Sequence, residues 1–173
     1  MSTIIVASLL VISVIVISKI FVSINTKNHK KRTQQLLIRF NDTGSTFGLS
    51  FSSQEILKNK ILGLDGIHRK FLVMEFENDT KVTCIDLSEI RECILKKEYD
   101  SVNHGSDRKA KIEQQLRGIL LQFQFRNKRE PVNISFYDSS INSIYEMAPL
   151  EAKAKDWEAM LSKMIIKGSP VMV

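Results

Sequence analysis

The sequence predicts an N-terminal transmembrane helix followed by a mainly antiparallel β domain of about seven strands, a bent sheet or barrel capped by a C-terminal amphipathic helix. Three observations predict this fold class: an apolar run opens the chain, apolar and polar residues alternate in its middle, and helical periodicity closes it. The corresponding divisions are a transmembrane anchor (1–24), a basic juxtamembrane linker (25–46), a β domain with its C-terminal helix (47–167) and a tail (168–173).

The apolar run extends from Ile4 to Ile24 and is interrupted by one charged residue, Lys19. As a helix, its 21 residues would span about 30 Å, which is the thickness of the hydrocarbon core of a bilayer. The alternative is a signal peptide that is cleaved. No basic residue precedes the run and no small-x-small triplet follows it, so we expect an uncleaved, single-pass anchor.

Positive charge follows the apolar run at Lys27, Lys30, Lys31 and Arg32. Because positively charged flanks stay on the cytoplasmic side of a membrane, we expect a cell-membrane protein with its N-terminus outside and its C-terminal domain in the cytoplasm. The same four residues are candidates for contact with anionic lipid head groups, or act only as a topology signal.

Alternating residues predict the strands. Phe47, Leu49 and Phe51 alternate with small residues and predict a first strand, and Ser52 with Glu55 forms a capping-box pattern that predicts a short helical turn. The stretch "KILGLDGIHRKFLVMEFEN" predicts a hairpin with Asp65-Gly66 at its turn. The stretches "KVTCIDL", "RECILKKEY", "ILLQFQF" and "PVNISFYD" predict the remaining strands.

The last element changes to helical periodicity. Pro149 is well placed in the first turn of a helix, and Gly168 is a natural stop. Apolar residues between them recur at steps of four and three, at Leu150, Ala154, Trp157, Leu161 and Met164. We interpret this stripe as the face with which the helix covers its own sheet.

Charge and cysteine content restrict the function. The net charge of +6 comes mostly from the N-terminal segment, because residues 33–173 hold 20 basic and 19 acidic side chains. An almost neutral domain without a basic stripe disfavours binding to nucleic acid. Cys84 and Cys93 lie within apolar alternation, which predicts buried, reduced thiols.

The strand order, with the phrases "KILGLDGIHRKFLVMEF" and "IDLSEIREC", resembles a pleckstrin-homology-like (PH-like) domain of small single-pass bacterial membrane proteins. The resemblance covers roughly residues 47–166 and implies a scaffold that usually binds peptides, proteins or lipid heads. Lipid-binding members carry basic residues around the first hairpin, and this chain has Lys58, Lys60, His68, Arg69 and Lys70 there. The acidic and apolar loop Asp65-Gly66-Ile67 departs from that pattern and disfavours phosphoinositide binding.

We find no pattern for phosphate, dinucleotide or metal binding and no nucleophile motif, so we predict no catalytic residue, no cofactor and no metal ligand. Two residue pairs are candidate catalytic groups. We interpret Cys93 with His104 as a packed thiol beside a loop histidine, and Asp86 with Glu89 as a solvated turn.

These observations predict a membrane-tethered, non-catalytic binding module that recruits or organises a protein partner at the cytoplasmic face. The alternatives are a structural subunit of a larger membrane complex, a membrane-proximal enzyme, or a lipid-head binder. We predict contact with anionic lipid heads and with a protein, but not with nucleic acid or a small-molecule substrate. A free strand edge and the groove beside the C-terminal helix are the two candidate docking surfaces.

Overall fold

The computed structural model describes residues 31–76, 79–103 and 112–165, and the chain divides into two units, Met1–Gly48 and Leu49–Val173. In the first unit, residues 31–46 form helix α1. This helix ends where Gly48 adopts a left-handed φ of 67° and its N–H donates to the Ser45 carbonyl over 2.9 Å. Glycine suits that position because it has no Cβ to clash in the left-handed region.

The described residues of the second unit form seven strands in two antiparallel sheets. The first sheet has the order β1-β2-β3-β4 and consists of β1 (Ser53–Ile56), β2 (Lys60–Asp65), β3 (Lys70–Phe76) and β4 (Thr80–Asp86). The second sheet has the order β5-β6-β7 and consists of β5 (Ile90–Asn103), β6 (Ile112–Phe125) and β7 (Val132–Asp138). Each strand therefore pairs with its neighbour in sequence.

The predicted fold class is wrong. Among the residues that the structure describes, no helix has both the length and the apolar character needed to cross a membrane. The predicted anchor (1–24) and residues 25–30 of the predicted linker lie outside the described residues. The description of the chain as a single-pass membrane protein is therefore not supported.

The strands also form two sheets and not one bent sheet or barrel. The break falls between β4 and β5, where the Asp86 carboxylate accepts a hydrogen bond from the Ser88 N–H over 2.9 Å. Leu87 and Ile90 on either side of this turn are both fully buried in the core. The chain turns between these two buried residues, and the second sheet begins at Ile90.

Both sheets contribute to one hydrophobic core. At its centre, the ring of Phe71 on β3 lies 5.6 Å from the ring of Phe123 on β6 and 5.4 Å from the ring of Trp157. Alternate residues of β2 and β3, among them Leu62, Leu64 and Val73, face this core from the first sheet. The hairpin of β2 and β3 turns at residues 66–69, as the Asp65-Gly66 pair predicts.

The first strand differs from its prediction. Residues 47–52 form no strand, and Ser53–Ile56, where the capping-box pattern predicted a helical turn, is β1. β1 pairs with β2 from Ser53 opposite Leu64 to Ile56 opposite Ile61, and the Ser52 N–H donates to the Leu64 carbonyl over 2.8 Å. Pairing with a neighbouring strand satisfies more backbone groups here than one helical turn would.

Helix α2 (Met147–Met164) follows a short 3-10 helix (Ile144–Glu146). It buries Ala154, Trp157 and Leu161 in the core, and these three belong to the apolar stripe seen in the sequence. The helix ends at Met164, where Ile165 becomes extended, and the expected stop at Gly168 lies outside the described residues.

Candidate binding surfaces

Strand β4 forms an open edge of the first sheet. All seven of its residues pair with β3 on one side, from Thr80 opposite Phe76 to Asp86 opposite Lys70. The Leu87 N–H donates to the Arg69 carbonyl over 2.8 Å. In an antiparallel ladder, every second residue forms hydrogen bonds with the neighbouring strand, and the residues between them direct their N–H and C=O groups to the other side. By that alternation, the backbone groups of Val82 and Cys84 point away from β3.

Within the described residues, no strand pairs with the outer side of β4. Val82 keeps 38% of its surface exposed and the Cys84 thiol is also exposed, whereas Ile85 is buried in the core. Lys81 is the one basic residue in the strand, and the strand has no proline. Within the described residues, β4 thus lacks the proline and the paired strand that would close an edge, and its charged residues are Lys81 and Asp86.

The edge of the second sheet at β5 is protected, in contrast. A carboxylate oxygen of Glu158 on α2 accepts a hydrogen bond from the Leu95 N–H over 2.7 Å. Lys97 on the same strand pairs with Glu151 of α2 over 2.9 Å. α2 therefore occupies the edge of β5 at Leu95 and Lys97. The predicted docking groove beside α2 stays a prediction.

A basic cleft of about 410 Å³ lies on the second sheet, where β5 begins, β6 ends and the loop to β7 passes. We use the name basic cleft for this surface, which is lined by Arg91, Gln122, Gln124, Phe125, Arg126, Lys128, Arg129 and Pro131. Four of these residues are basic and none is acidic, so the lining is strongly positive although the domain as a whole is almost neutral.

Local contacts hold the side chains of the basic cleft. An Nη atom of Arg91 lies 2.7 Å from a carboxylate oxygen of Glu92 and 2.6 Å from the amide oxygen of Gln124. The Arg126 Nε donates to the Ile90 carbonyl over 3.2 Å, which joins the end of β6 to the start of β5. The guanidinium of Arg129 lies 5.4 Å from the centre of the Phe125 ring, a cation–π distance.

A second, smaller cavity of about 180 Å³ lies between the two sheets and is lined by Lys60, Glu75, Ser135 and Asp138, among others. Lys60 is 5% exposed and its Nζ pairs with Glu75 over 3.0 Å. Hydrogen bonds from Ser140 lower the pKa of Asp138. The charged groups of this cavity are therefore already paired, and no thiol or histidine lines it.

The predicted lipid-contact residues fall at the first described helix or before it. Lys31 and Arg32 are exposed in α1, and Lys27 and Lys30 lie outside the described residues. Their contact with lipid heads stays a prediction. Two basic residues of the first hairpin are held by contacts within the domain, because Lys60 is buried against Glu75 and the His68 ring is hydrogen-bonded to Asp65 over 2.8 Å.

The structure describes the surroundings of Asp86 and Cys93, one member of each candidate catalytic pair. Asp86 binds Ser88, whose hydroxyl hydrogen bond lowers the pKa of the Asp86 carboxyl. Burial, with a smaller effect of the Glu158 charge, raises the pKa of the Cys93 thiol to about 12, and His104 lies outside the described residues. Within the described ranges, no group of three metal-ligating side chains comes together.

The thiols depart from the prediction in part. Cys93 is buried as predicted, but Cys84 is exposed on the open edge, and both are free thiols. The basic cleft was missed altogether, because a net charge for the whole domain hides a local concentration. The signal was present in the segment "RNKRE" (126–130), which has three basic residues in five.

Comparison of the chain with protein-family models, with curated proteins and with solved structures finds no match in any of the three. The predicted resemblance to PH-like domains is not tested by these comparisons and stays a prediction.

Proposed function

We propose that this domain is a non-catalytic protein-binding module that takes an extended segment of a partner protein onto the free edge of β4. The observation that carries this proposal is the contrast between two of the edge strands, β4 and β5. α2 covers β5 and accepts a hydrogen bond from its Leu95 N–H, whereas no described strand pairs with the outer side of β4.

The chemistry of such binding is that of strand addition. Backbone N–H and C=O groups of Val82 and Cys84 form hydrogen bonds with the added segment and supply affinity, independent of its sequence. The exposed side chains of the same two residues contact alternate side chains of the segment and supply selectivity. Both side chains are small and uncharged, so they suit apolar or β-branched neighbours.

Val82→Pro in the full chain tests the proposal. Proline removes the outward N–H of Val82, but it is tolerated at edge positions where the N–H faces solvent, so the fold survives. Val82→Thr is the matched control, because it keeps the N–H and the branched shape. Random peptides displayed on phage are selected on the unmodified chain, and selected peptides are resynthesised for affinity measurement.

We expect Val82→Pro to lower the affinity for the selected peptides at least about tenfold. Val82→Thr should change this affinity by less than about threefold. Amide hydrogen exchange gives a second readout. In the free chain, we expect the amides of Val82 and Cys84 to exchange faster than those of Thr83 and Ile85. A bound peptide should slow the hydrogen exchange of the Val82 and Cys84 amides. Equal binding by a folded Val82→Pro variant, or selection of no binding peptide, contradicts the proposal.

A further inference from the structure

We infer that the basic cleft is a second binding site, which takes a segment of a protein rich in aspartate and glutamate. This goes beyond strand addition at β4, because the cleft lies on the other sheet and involves side chains instead of a strand edge. An experiment is therefore able to contradict one of the two proposed sites and support the other.

The charge of the basic cleft is only partly compensated. Arg91 pairs with Glu92, an exposed contact that contributes little to stability and that an incoming carboxylate is able to replace. Within the described part of the chain, neither Lys128 nor Arg129 forms an ion pair with a carboxylate. Lys128 and Arg129 thus present positive charge to the cleft for which the described carboxylates supply no ion-pair partner.

The loop that carries these cations has an unusual backbone conformation. Lys128 has a φ of 57°, in the left-handed region that residues with a Cβ seldom adopt. The side-chain oxygen of Asn127 accepts a hydrogen bond from the Arg129 N–H over 3.2 Å and closes the turn around Lys128. Glycine adopts this backbone without a steric penalty, so Lys128→Gly is able to remove the cation while the turn is kept.

The lining favours a peptide over a phosphate or a nucleic acid. About 410 Å³ is far more space than one phosphate group occupies, and Phe125, Pro131 and two glutamine side chains line the cleft beside the cations. Apolar and amide groups contact the side chains and backbone of a peptide. Bases of single-stranded RNA need aromatic faces for stacking, and Arg129 already covers the ring of Phe125, the one aromatic residue of the lining.

The test measures binding of the full chain to a fluorescein-labelled glutamate-rich peptide by anisotropy, with the same peptide in its glutamine form for comparison. Lys128→Gly removes a cation of the cleft and also relieves the left-handed backbone, so folding is preserved. Arg69→Gly is a matched control, since Arg69 is basic, lies outside the cleft and has a similar φ of 53°. Arg129→Gln removes the second unpaired cation without changing the backbone.

We expect the glutamate peptide to bind and the glutamine peptide not to bind. Lys128→Gly and Arg129→Gln should each weaken binding about three- to tenfold, and raised salt should weaken it further. Arg69→Gly should leave the affinity within about twofold of the unmodified chain, since Arg69 lies outside the cleft.

Three results would overturn the inference. One is that Arg69→Gly and Lys128→Gly weaken binding of the glutamate peptide equally, which would mean that the total charge of the chain attracts the peptide and not the cleft. Another is equal binding of the glutamine peptide. The third is binding of inorganic phosphate or of single-stranded RNA that is tighter than binding of the glutamate peptide and sensitive to Lys128→Gly, which assigns the cleft to a different anion.

Discussion

The side chain of Asp65 shows how one residue organises a turn. Its carboxylate is fully buried and accepts hydrogen bonds from the N–H groups of Ser50, Ile67 and His68 over 2.7, 2.9 and 2.8 Å. Burial alone would raise the pKa of this carboxyl, but the bonds from His68, Ser50 and Ile67 outweigh burial and hold the pKa far below 3.8. Asp65 thus ties the β2–β3 turn to the segment before β1.

Asp65→Asn is expected to lower the free energy of unfolding by about 2–3 kcal/mol at neutral pH. In one orientation of the asparagine, its NH₂ group replaces Oδ2 and faces the Ser50 N–H. In the flipped orientation, the NH₂ group faces the N–H groups of Ile67 and His68. Either way, two hydrogen-bond donors face each other. Urea unfolding followed by fluorescence of the single tryptophan measures the change.

Asp86→Asn is the matched control, because Asp86 also accepts hydrogen bonds in a turn, but both bonds from Ser88 go to one oxygen that asparagine retains. A cost of Asp65→Asn no larger than that of Asp86→Asn contradicts this account. Since the folded pKa of Asp65 is lowered, its contribution to stability is present above about pH 4 and is lost as the pH falls. The difference in free energy of unfolding between the unmodified chain and Asp65→Asn should therefore become smaller in acid.

At the scale of elements, α2 makes polar contacts with edge strands of both sheets. Glu158 binds the Leu95 N–H, and Glu151 pairs with Lys97 on the same strand and with Lys155 one turn along the helix. On the other side of the helix, Lys153 pairs with Glu55 of β1 over 2.8 Å. One helix therefore makes polar contacts with an edge strand of each sheet, but not with β4.

Glu158→Ala is expected to lower the free energy of unfolding by about 1–2 kcal/mol, because it leaves a half-buried backbone N–H without its charged acceptor. Glu151→Ala, on the same helix, removes only ion pairs near the surface and should cost less than about 1 kcal/mol. Faster hydrogen exchange of the Leu95 amide in Glu158→Ala alone is the diagnostic result, and unchanged exchange contradicts the role assigned to Glu158.

At the scale of the whole second unit, one aromatic cluster joins the two sheets and α2. Trp157 is 3% exposed and contacts Phe71 of the first sheet, which in turn contacts Phe123 of the second. Since the sheets share no strand pairing within the described residues, side-chain packing holds them together. We therefore expect the two sheets to unfold as one cooperative unit.

Trp157→Ala should lower the free energy of unfolding by about 3–5 kcal/mol, since a large buried side chain leaves a cavity that neighbouring groups fill only in part. Trp157→Phe keeps an aromatic ring and should cost clearly less. Circular dichroism gives the stability, and hydrogen exchange compares amides of β3 with amides of β6. Loss of protection in one sheet while the other remains intact would contradict the shared core.

Predictions from the sequence held where neighbouring residues decide the structure. The Asp65-Gly66 pair marked the turn between β2 and β3, and helical periodicity marked the face of α2 that carries Trp157. The predictions were wrong where a distant segment decides the local structure. Ser53–Ile56 is an example, because it forms a strand by pairing with β2 and not a helical turn from its local capping pattern. The exposure of Cys84 had the same cause, since alternation does not tell which strand lies at an edge.

For this protein, the sequence by itself determined the periodicity of its elements, the near neutrality of residues 33–173 and the basic segment 126–130. Only the tertiary structure decided that the strands divide into two sheets, that α2 covers β5 and leaves β4 open, and that Arg91 joins the basic segment in one cleft. The physical reason is distance along the chain. Periodicity arises from adjacent residues, whereas edges and clefts arise from contacts between residues far apart in sequence.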